Sequence, residues 1–268
     1  MLADLHIHTK ASDGLHSPEE ICAMAIKAGL AGIAITDHDT LDGFLALKKR
    51  NEPGLEVLPG VEISTHWHGE EVHLLGYNVS PEKGYLQEML VSFQEERRHR
   101  ITKIVNKIQK LGFQIDEEEI IACAKGKSLG RPHVAQALIA KGYYEDVKEV
   151  FEELLEAGAP AYVPREKITP EEGIKAIASA GGIPVLAHPG LVKNCLELIA
   201  ELTPIGLKGV EVYYPLHSQD LIHTLLIMTQ EKGLLVTGGS DFHGFTGDKL
   251  GKSCVDFSVV EAIKDLSR

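Results

Sequence analysis

Short apolar runs alternate with amphipathic stretches at both ends of the chain, and the middle third loses that rhythm. Residues 2–8 place polar and apolar side chains at every second position, the period of a strand. Ser17-Pro18-Glu19-Glu20 then opens a helix. Ser17 can cap it, Pro18 suits the first turn, and Glu20 completes a capping box. Gly29 stops it. Residues 32–37 predict a second strand, 40–49 a short helix, and 55–64 and 71–77 two more strands.

From 81 to 165 the strand signal almost disappears. A long helix is predicted over 83–110, ending before Gly112, with shorter helices near 116–125, 132–141 and 145–157. The β/α alternation resumes at Thr169-Pro170-Glu171-Glu172, another capping box. Strands are predicted at 183–188, 209–213 and 234–238, separated by helices near 192–202 and 216–232. About seven strands, mostly joined by helices, predict a closed or nearly closed α/β barrel with one helical excursion.

Composition narrows the class. The chain has 268 residues, 44% hydrophobic and 25% charged, as a soluble globular protein does. No apolar run approaches the roughly 20 residues needed to span a bilayer. Met1-Leu2-Ala3-Asp4 leads directly into a strand without a signal-peptide pattern, which predicts a cytoplasmic protein. Cys22, Cys123, Cys195 and Cys254 are far apart and read as reduced, mostly buried thiols, not as a zinc site. A net charge of −12 argues against a grip on long nucleic acid by its backbone. It does not exclude a nucleotide substrate, and three bound divalent cations would halve it.

The candidate chemistry sits at strand ends. In Asp4-Leu5-His6-Ile7-His8 the period of two puts Asp4, His6 and His8 on one face, so His6 and His8 can hold one ion together. The following turn brings Asp13 close. Thr36-Asp37-His38-Asp39 follows an apolar strand, where α/β barrels build active sites. A helix cap accounts for Asp39 or Thr40 but explains His38 poorly. Glu62 lies between Val61 and Ile63, and a carboxylate in so apolar a run is usually paired or metal-bound. His73 reads as a satisfied core histidine at least as well as a ligand. His66 and His68 flank Trp67 in a second HxH, which a polar hairpin tip explains as well. His188 ends another strand, and Asp241 and His243 follow Gly238-Gly239-Ser240. All are nitrogen or oxygen donors, suited to manganese, iron or zinc.

These motifs resemble those of the PHP (polymerase and histidinol phosphatase) family: DLHIHTKASDG at 4–14, TDHD at 36–39, the Glu62 strand continuing to His73, AHP at 187–189 and GSDFH at 239–243. The resemblance implies a distorted seven-stranded (β/α)7 barrel and a trinuclear metal site, with Mn²⁺ the first expectation and Fe²⁺ or Zn²⁺ the alternatives. It assigns His6, His8, Glu62 and Asp241 to one ion. Glu62 bridges to a second ion with His73 and His188. Asp13, His38 and His243 hold the third. Many members carry histidine where this chain has Asp13. Residues 1–80 and 166–268 would form the metal-binding barrel, and 81–165 a helical insertion capping the substrate. GRPHVA at 130–135 and PAYVP at 160–164 resemble the subgroup containing nucleoside 3′,5′-bisphosphate phosphatases and ribonuclease AM, a 5′→3′ exoribonuclease.

The implied reaction is attack of a metal-activated water on phosphorus, with Asp37, Asp241 and His243 as candidate catalytic groups. The expected substrate is a small nucleotide phosphomonoester, such as a 3′,5′-bisphosphate or an AMP-like molecule, extending to short 5′-phosphorylated RNA. No membrane or obligate protein partner is implied. Residues 83–110 carry seven basic and three acidic side chains. A solvated face explains most of that run, but Arg97 and Arg100 share a helix face. Arg131, beside Pro132 at a helix start, could grip phosphate bidentately. Ser12, His133 and His217 are further candidate contacts. Histidinol-phosphate hydrolysis is the alternative activity, and a non-catalytic PHP module the alternative class.

Overall fold

The computed structural model describes residues 1–47, 53–81, 84–124, 126, 128–164 and 168–267. Among these, eight strands form one sheet: β1 (Leu2–Ile7), β2 (Gly32–Ile35), β3 (Glu56–Trp67), β4 (Glu70–Tyr77), β5 (Ile183–Leu186), β6 (Gly209–Tyr213), β7 (Leu235–Gly238) and β8 (Val255–Asp256). Their order is β7-β6-β5-β4-β3-β2-β1-β8. The helices are α1 (Pro18–Lys27), α2 (Asp42–Leu47), α3 (Tyr85–Lys110), α4 (Glu117–Cys123), α5 (Arg131–Ala140), α6 (Val147–Val150), α7 (Pro170–Ser179), α8 (Cys195–Leu202), α9 (Gln219–Lys232) and α10 (Ser258–Leu266). Lys49, Lys83 and Lys125, expected in helices, and the 165/166 boundary lie outside the described residues.

The sheet curls until its ends almost meet. His8 N–H donates to Phe242 O (2.9 Å) and Phe242 N–H to His6 O (3.4 Å), so β1 pairs with the chain just after β7. The close approach requires Gly239: a Cβ there would lie 2.2 Å from His6 Cβ. Both faces of β1 are therefore buried, and the polar face with Asp4, His6 and His8 points into the barrel.

Three features depart from the sequence reading. β3 and β4 form a hairpin, and β4 is antiparallel to both its neighbours, so this part of the barrel lacks a β/α crossover. His66 and Trp67 belong to β3 itself, and only His68-Gly69 turns, both at positive φ. β8, antiparallel to β1, and α10 extend the chain beyond the seven strands expected. β8 has only two residues, too few to show a period.

α3 explains how the helical segment sits over the barrel. Its apolar stripe changes partners halfway. Leu86, Met89, Leu90 and Phe93 pack into the core between sheet and helices. Ile101, Ile104, Val105 and Ile108 pack into a separate core with Val134, Leu138, Leu154 and Val163. Each such side chain contributes roughly 1.5–3 kcal/mol when fully buried, enough to hold α4 to α6 against α3. Arg97 and Arg100 occupy the same buried stripe at the changeover, whereas Arg98 is mostly exposed. The expected helix at 145–157 is instead α6 followed by a π-type turn, Phe151–Leu155.

Barrel closure generates a test. Gly239→Ala should destabilise the protein by about 1–3 kcal/mol through overpacking against His6, read from the midpoint of chemical denaturation. An unchanged midpoint would contradict this closure.

Candidate metal centre

The nine residues expected as ligands converge at one end of the barrel. β1 supplies His6, the residue after it is His8, and the following loop supplies Asp13. His38 follows β2, Glu62 lies in β3 and His73 in β4. His188 follows β5, and Asp241 and His243 follow β7. Their donor atoms form three overlapping groups, each within 4.8 Å: His6, His8, Glu62 and Asp241; His8, Asp13, His38 and His243; and His38, Glu62 and His73. His188 joins through Glu62, with Nε2 3.0 Å from Oε1. His8 and His38 thus reach further than one group each, as the resemblance alone did not indicate.

Glu62 is the hub. It is 1% exposed, yet five imidazoles approach it. His6, His8 and His38 lie 3.3, 3.1 and 3.2 Å from Oε2, and His73 and His188 lie 2.8 and 3.0 Å from Oε1. Asp241 Oδ1 lies 3.3 and 3.2 Å from His6 and His8 Nε2. Asp13 Oδ1 lies 3.4 Å from His243 Nε2 and 3.6 Å from His8 Nδ1.

His73 Nδ1 and His188 Nε2 hydrogen-bond Glu62 Oε1, but most of the other close approaches are not hydrogen bonds. Nine buried side-chain polar atoms among the described residues lack a properly directed partner, and seven of them belong to this cluster: His6 Nε2, both ring nitrogens of His8, Asp13 Oδ1, His38 Nδ1, Glu62 Oε2 and Asp241 Oδ1. An unsatisfied buried polar atom costs about 1–3 kcal/mol, so so dense a set calls for a compensating charge. Nitrogen and oxygen donors facing one another at this spacing fit divalent cations.

Without a cation the cluster holds protons instead. Burial opposes charging of His73 and His243, but Glu62 and Asp13 respectively outweigh it, and both imidazoles are pushed up to about 10. For His38 burial dominates and pushes the imidazole down to about 3. Burial likewise opposes ionisation of Glu62, Asp13 and Asp241, but the surrounding histidines hold all three well below the usual carboxylate range.

A second set of carboxylates anchors the loops carrying the ligands. Asp37 accepts from Thr9 N–H (2.7 Å), Thr9 Oγ1 (2.8 Å) and Ser12 Oγ (2.6 Å), fixing the turn that bears Asp13. The structure thus places Asp37 and Ser12 on each other, beneath the cluster. Asp4 accepts from Ser240 N–H and Oγ and from Gly251 N–H, holding the residue before Asp241. Glu211, in β6, accepts from His6 Nδ1 (3.0 Å) and His188 N–H (2.7 Å). Sequence reasoning missed Glu211, although it stands in an apolar run, GVEVY, just as Glu62 does. Asp39, His188 and Asp241 adopt positive φ, at 52°, 27° and 52°. Such strain gathers where a loop must aim a side chain.

The candidate substrate residues divide. A cleft of 210 Å³ at the cluster is lined by Asp13, His38, His73 and His243 together with Arg97, Arg100 and Arg131. Arg97 is tied by Nε and Nη2 to Asp39 Oδ2 (2.6 Å each) and by Nη1 to Leu129 O. Arg100 Nε donates to Val163 O (2.7 Å). Arg131 donates to Glu71 Oε2 and Leu155 O (3.3 Å each), and its guanidinium lies 5.5 Å from the Phe151 ring centroid and 5.9 Å from that of Tyr162. His133 Nδ1 accepts from Gly130 N–H and so caps α5. His217 bonds Val212 O and Gly190 N–H, bracing the turn after His188. His66 and His68 join none of the three donor groups.

No helix among the described residues is long and apolar enough to cross a membrane. The model of the PHP domain matches residues 4–163. The 3′,5′-nucleoside bisphosphate phosphatase of Chromobacterium violaceum is 32% identical over 253 residues, covering 90% of this chain and 86% of that one. The 5′-3′ exoribonuclease Rnm of Salmonella typhimurium is 32% identical over 250 residues, covering 91% and 85%. A solved structure from Bifidobacterium adolescentis, assigned as a metal-dependent phosphoesterase, superposes with a TM-score of 0.92 at 32% identity, covering 98% of this chain and 96% of that one. These relatives do not favour the histidinol-phosphate alternative. The histidine and carboxylate cluster and the whole-chain likeness lead to one conclusion: the chain belongs to the PHP domain family, among hydrolases of phosphoesters.

Proposed function

We propose that this protein hydrolyses a nucleotide phosphomonoester, a 3′,5′-bisphosphonucleotide or AMP-like molecule, and also trims short 5′-phosphorylated RNA. The observation that carries the reading is the cleft that brings Asp13 and His38, two members of the unsatisfied donor set, together with Arg131. The two bisphosphatase and exoribonuclease relatives, similar over nearly the whole chain, support the nucleotide substrate.

His6, His8, Glu62 and Asp241 would hold one divalent ion. Glu62, His73 and His188, joined by His38, would hold a second. Asp13, His38 and His243, joined by His8, would hold a third. Mn²⁺ suits this mixed imidazole and carboxylate set, with Fe²⁺ and Zn²⁺ as alternatives. Bound ions supply Lewis acidity toward phosphoryl oxygens and a nucleophile from water at neutral pH.

The chain's own residues do the rest. Arg131, its planar fork steadied by Phe151 and Tyr162, orients a phosphoryl group by paired N–H donors. Arg97 and Arg100 hold the roof of the cleft and add positive potential. His38 stays neutral, so its lone pair is available to a cation. Asp37 acts through the Thr9–Ser12 turn and not on the substrate. The 210 Å³ cleft is large enough for a phosphoryl group.

A phosphatase panel with Mn²⁺ tests the substrate. The 3′,5′-bisphosphonucleotide should give the highest kcat/KM, ahead of AMP and short 5′-phosphorylated RNA. Preference for histidinol phosphate would overturn the nucleotide reading. His38→Ala and Asp241→Ala should each lower kcat/KM at least about 100-fold, and full activity in either would overturn the metal reading.

Metal uptake should also be proton-linked. His73 and His243, raised to about 10, each hold a proton near neutrality that a cation must displace. Mn²⁺ affinity should therefore rise from about pH 6 to about pH 8, with protons released on binding. Calorimetry in buffers of different ionisation heat measures both. Affinity independent of pH would contradict the ligand set.

A further inference from the structure

Glu211 is fully buried inside the barrel, and its carboxylate faces two N–H donors. One is His6 Nδ1, 3.0 Å from Oε1, and the other is the His188 main-chain N–H, 2.7 Å from Oε2. A carboxylate only accepts, so His6 must carry its proton on Nδ1 and present Nε2 to Glu62 and Asp241. The second bond fixes the backbone of His188, whose φ of 27° and ψ of 57° lie outside ordinary strand geometry. That turn brings the His188 ring back to Glu62.

We propose that Glu211 is a positioning residue that sets the tautomer of His6 and the turn at His188, and thereby the cation affinity of both sides of the cluster. The assignment rests on the reading of the cluster as a metal centre. The chemistry is specific to a carboxylate of this length. Glutamine has the same shape but one acceptor: if its oxygen serves His188 N–H, its amide must donate to His6 Nδ1. His6 would then be protonated on Nε2, and the nitrogen facing Glu62 and Asp241 would have no lone pair to offer. Aspartate keeps both acceptors but is one methylene short.

The test is calorimetric titration with Mn²⁺ of metal-free wild type, Glu211→Gln and Glu211→Asp, each shown to be folded by circular dichroism. Glu211→Gln should bind at least one ion about 10–100-fold more weakly, and Glu211→Asp should lose less. Mn²⁺ binding by Glu211→Gln equal to wild type would overturn the assignment, as would an equal loss in the two variants. Should Glu211→Gln fail to fold, ¹⁵N-histidine spectra of the zinc-loaded wild type decide instead. His6 should carry its proton on Nδ1, and a proton on Nε2 would overturn the assignment. If the wild type itself takes up no Mn²⁺, the metal reading falls and this assignment with it. Uptake by wild type and Glu211→Gln alike defeats only the role of Glu211.

Discussion

A carboxylate taken out of water costs several kcal/mol unless charge or hydrogen-bond donors surround it. Glu62 is such a carboxylate, and the molecule is arranged around meeting its demand. Five imidazoles from β1, β4 and the loops after β2 and β5 reach it. They can do so only because the sheet curls far enough for β1 to meet the chain after β7. The arrangement over-supplies nitrogen and oxygen donors and under-supplies directed hydrogen bonds. A cation resolves that imbalance, and a protein core alone does not.

Beneath the cluster, other buried carboxylates serve the backbone. Asp37 holds the turn before Asp13, Asp4 holds Ser240 before Asp241, and Asp39 accepts from Arg97 and from Ser64 N–H. Through that last pair, α3 is tied to the loop after β2. The helical segment is thereby linked to the cluster by charge as well as by apolar packing. Strained residues sit among these anchors, at Asp39, His188 and Asp241, where well-bonded neighbours hold the chain in place.

Much of this was legible in the sequence because most of the ligands stand within or at the end of an apolar run. The period of two put His6 and His8 on one face. Glu62 was conspicuous between Val61 and Ile63. The same logic applied to Glu211 in GVEVY would have singled it out. The hairpin of β3 and β4 was visible only as one explanation of the His66 and His68 pair, because its two-residue turn, His68-Gly69, carries a single glycine. β8 is too short for any periodic signal. Arg97 and Arg100 read as one face of a charged helix, but their burial depends on the apolar stripe of α3 changing partners at that point. Asp37 and Ser12 looked like site residues by position. Their hydrogen bonds to each other and to Thr9 depend on a loop conformation that no local pattern encodes.

Cations gathered around Glu62 would complete the cluster. Crystals grown with Mn²⁺ and measured for anomalous scattering locate such ions directly. The prediction is ordered ions within about 2.0–2.3 Å of donors from the three groups, with Glu62 shared between two of them. Ordered Mn²⁺ elsewhere, or none among these residues in a folded protein, would contradict it.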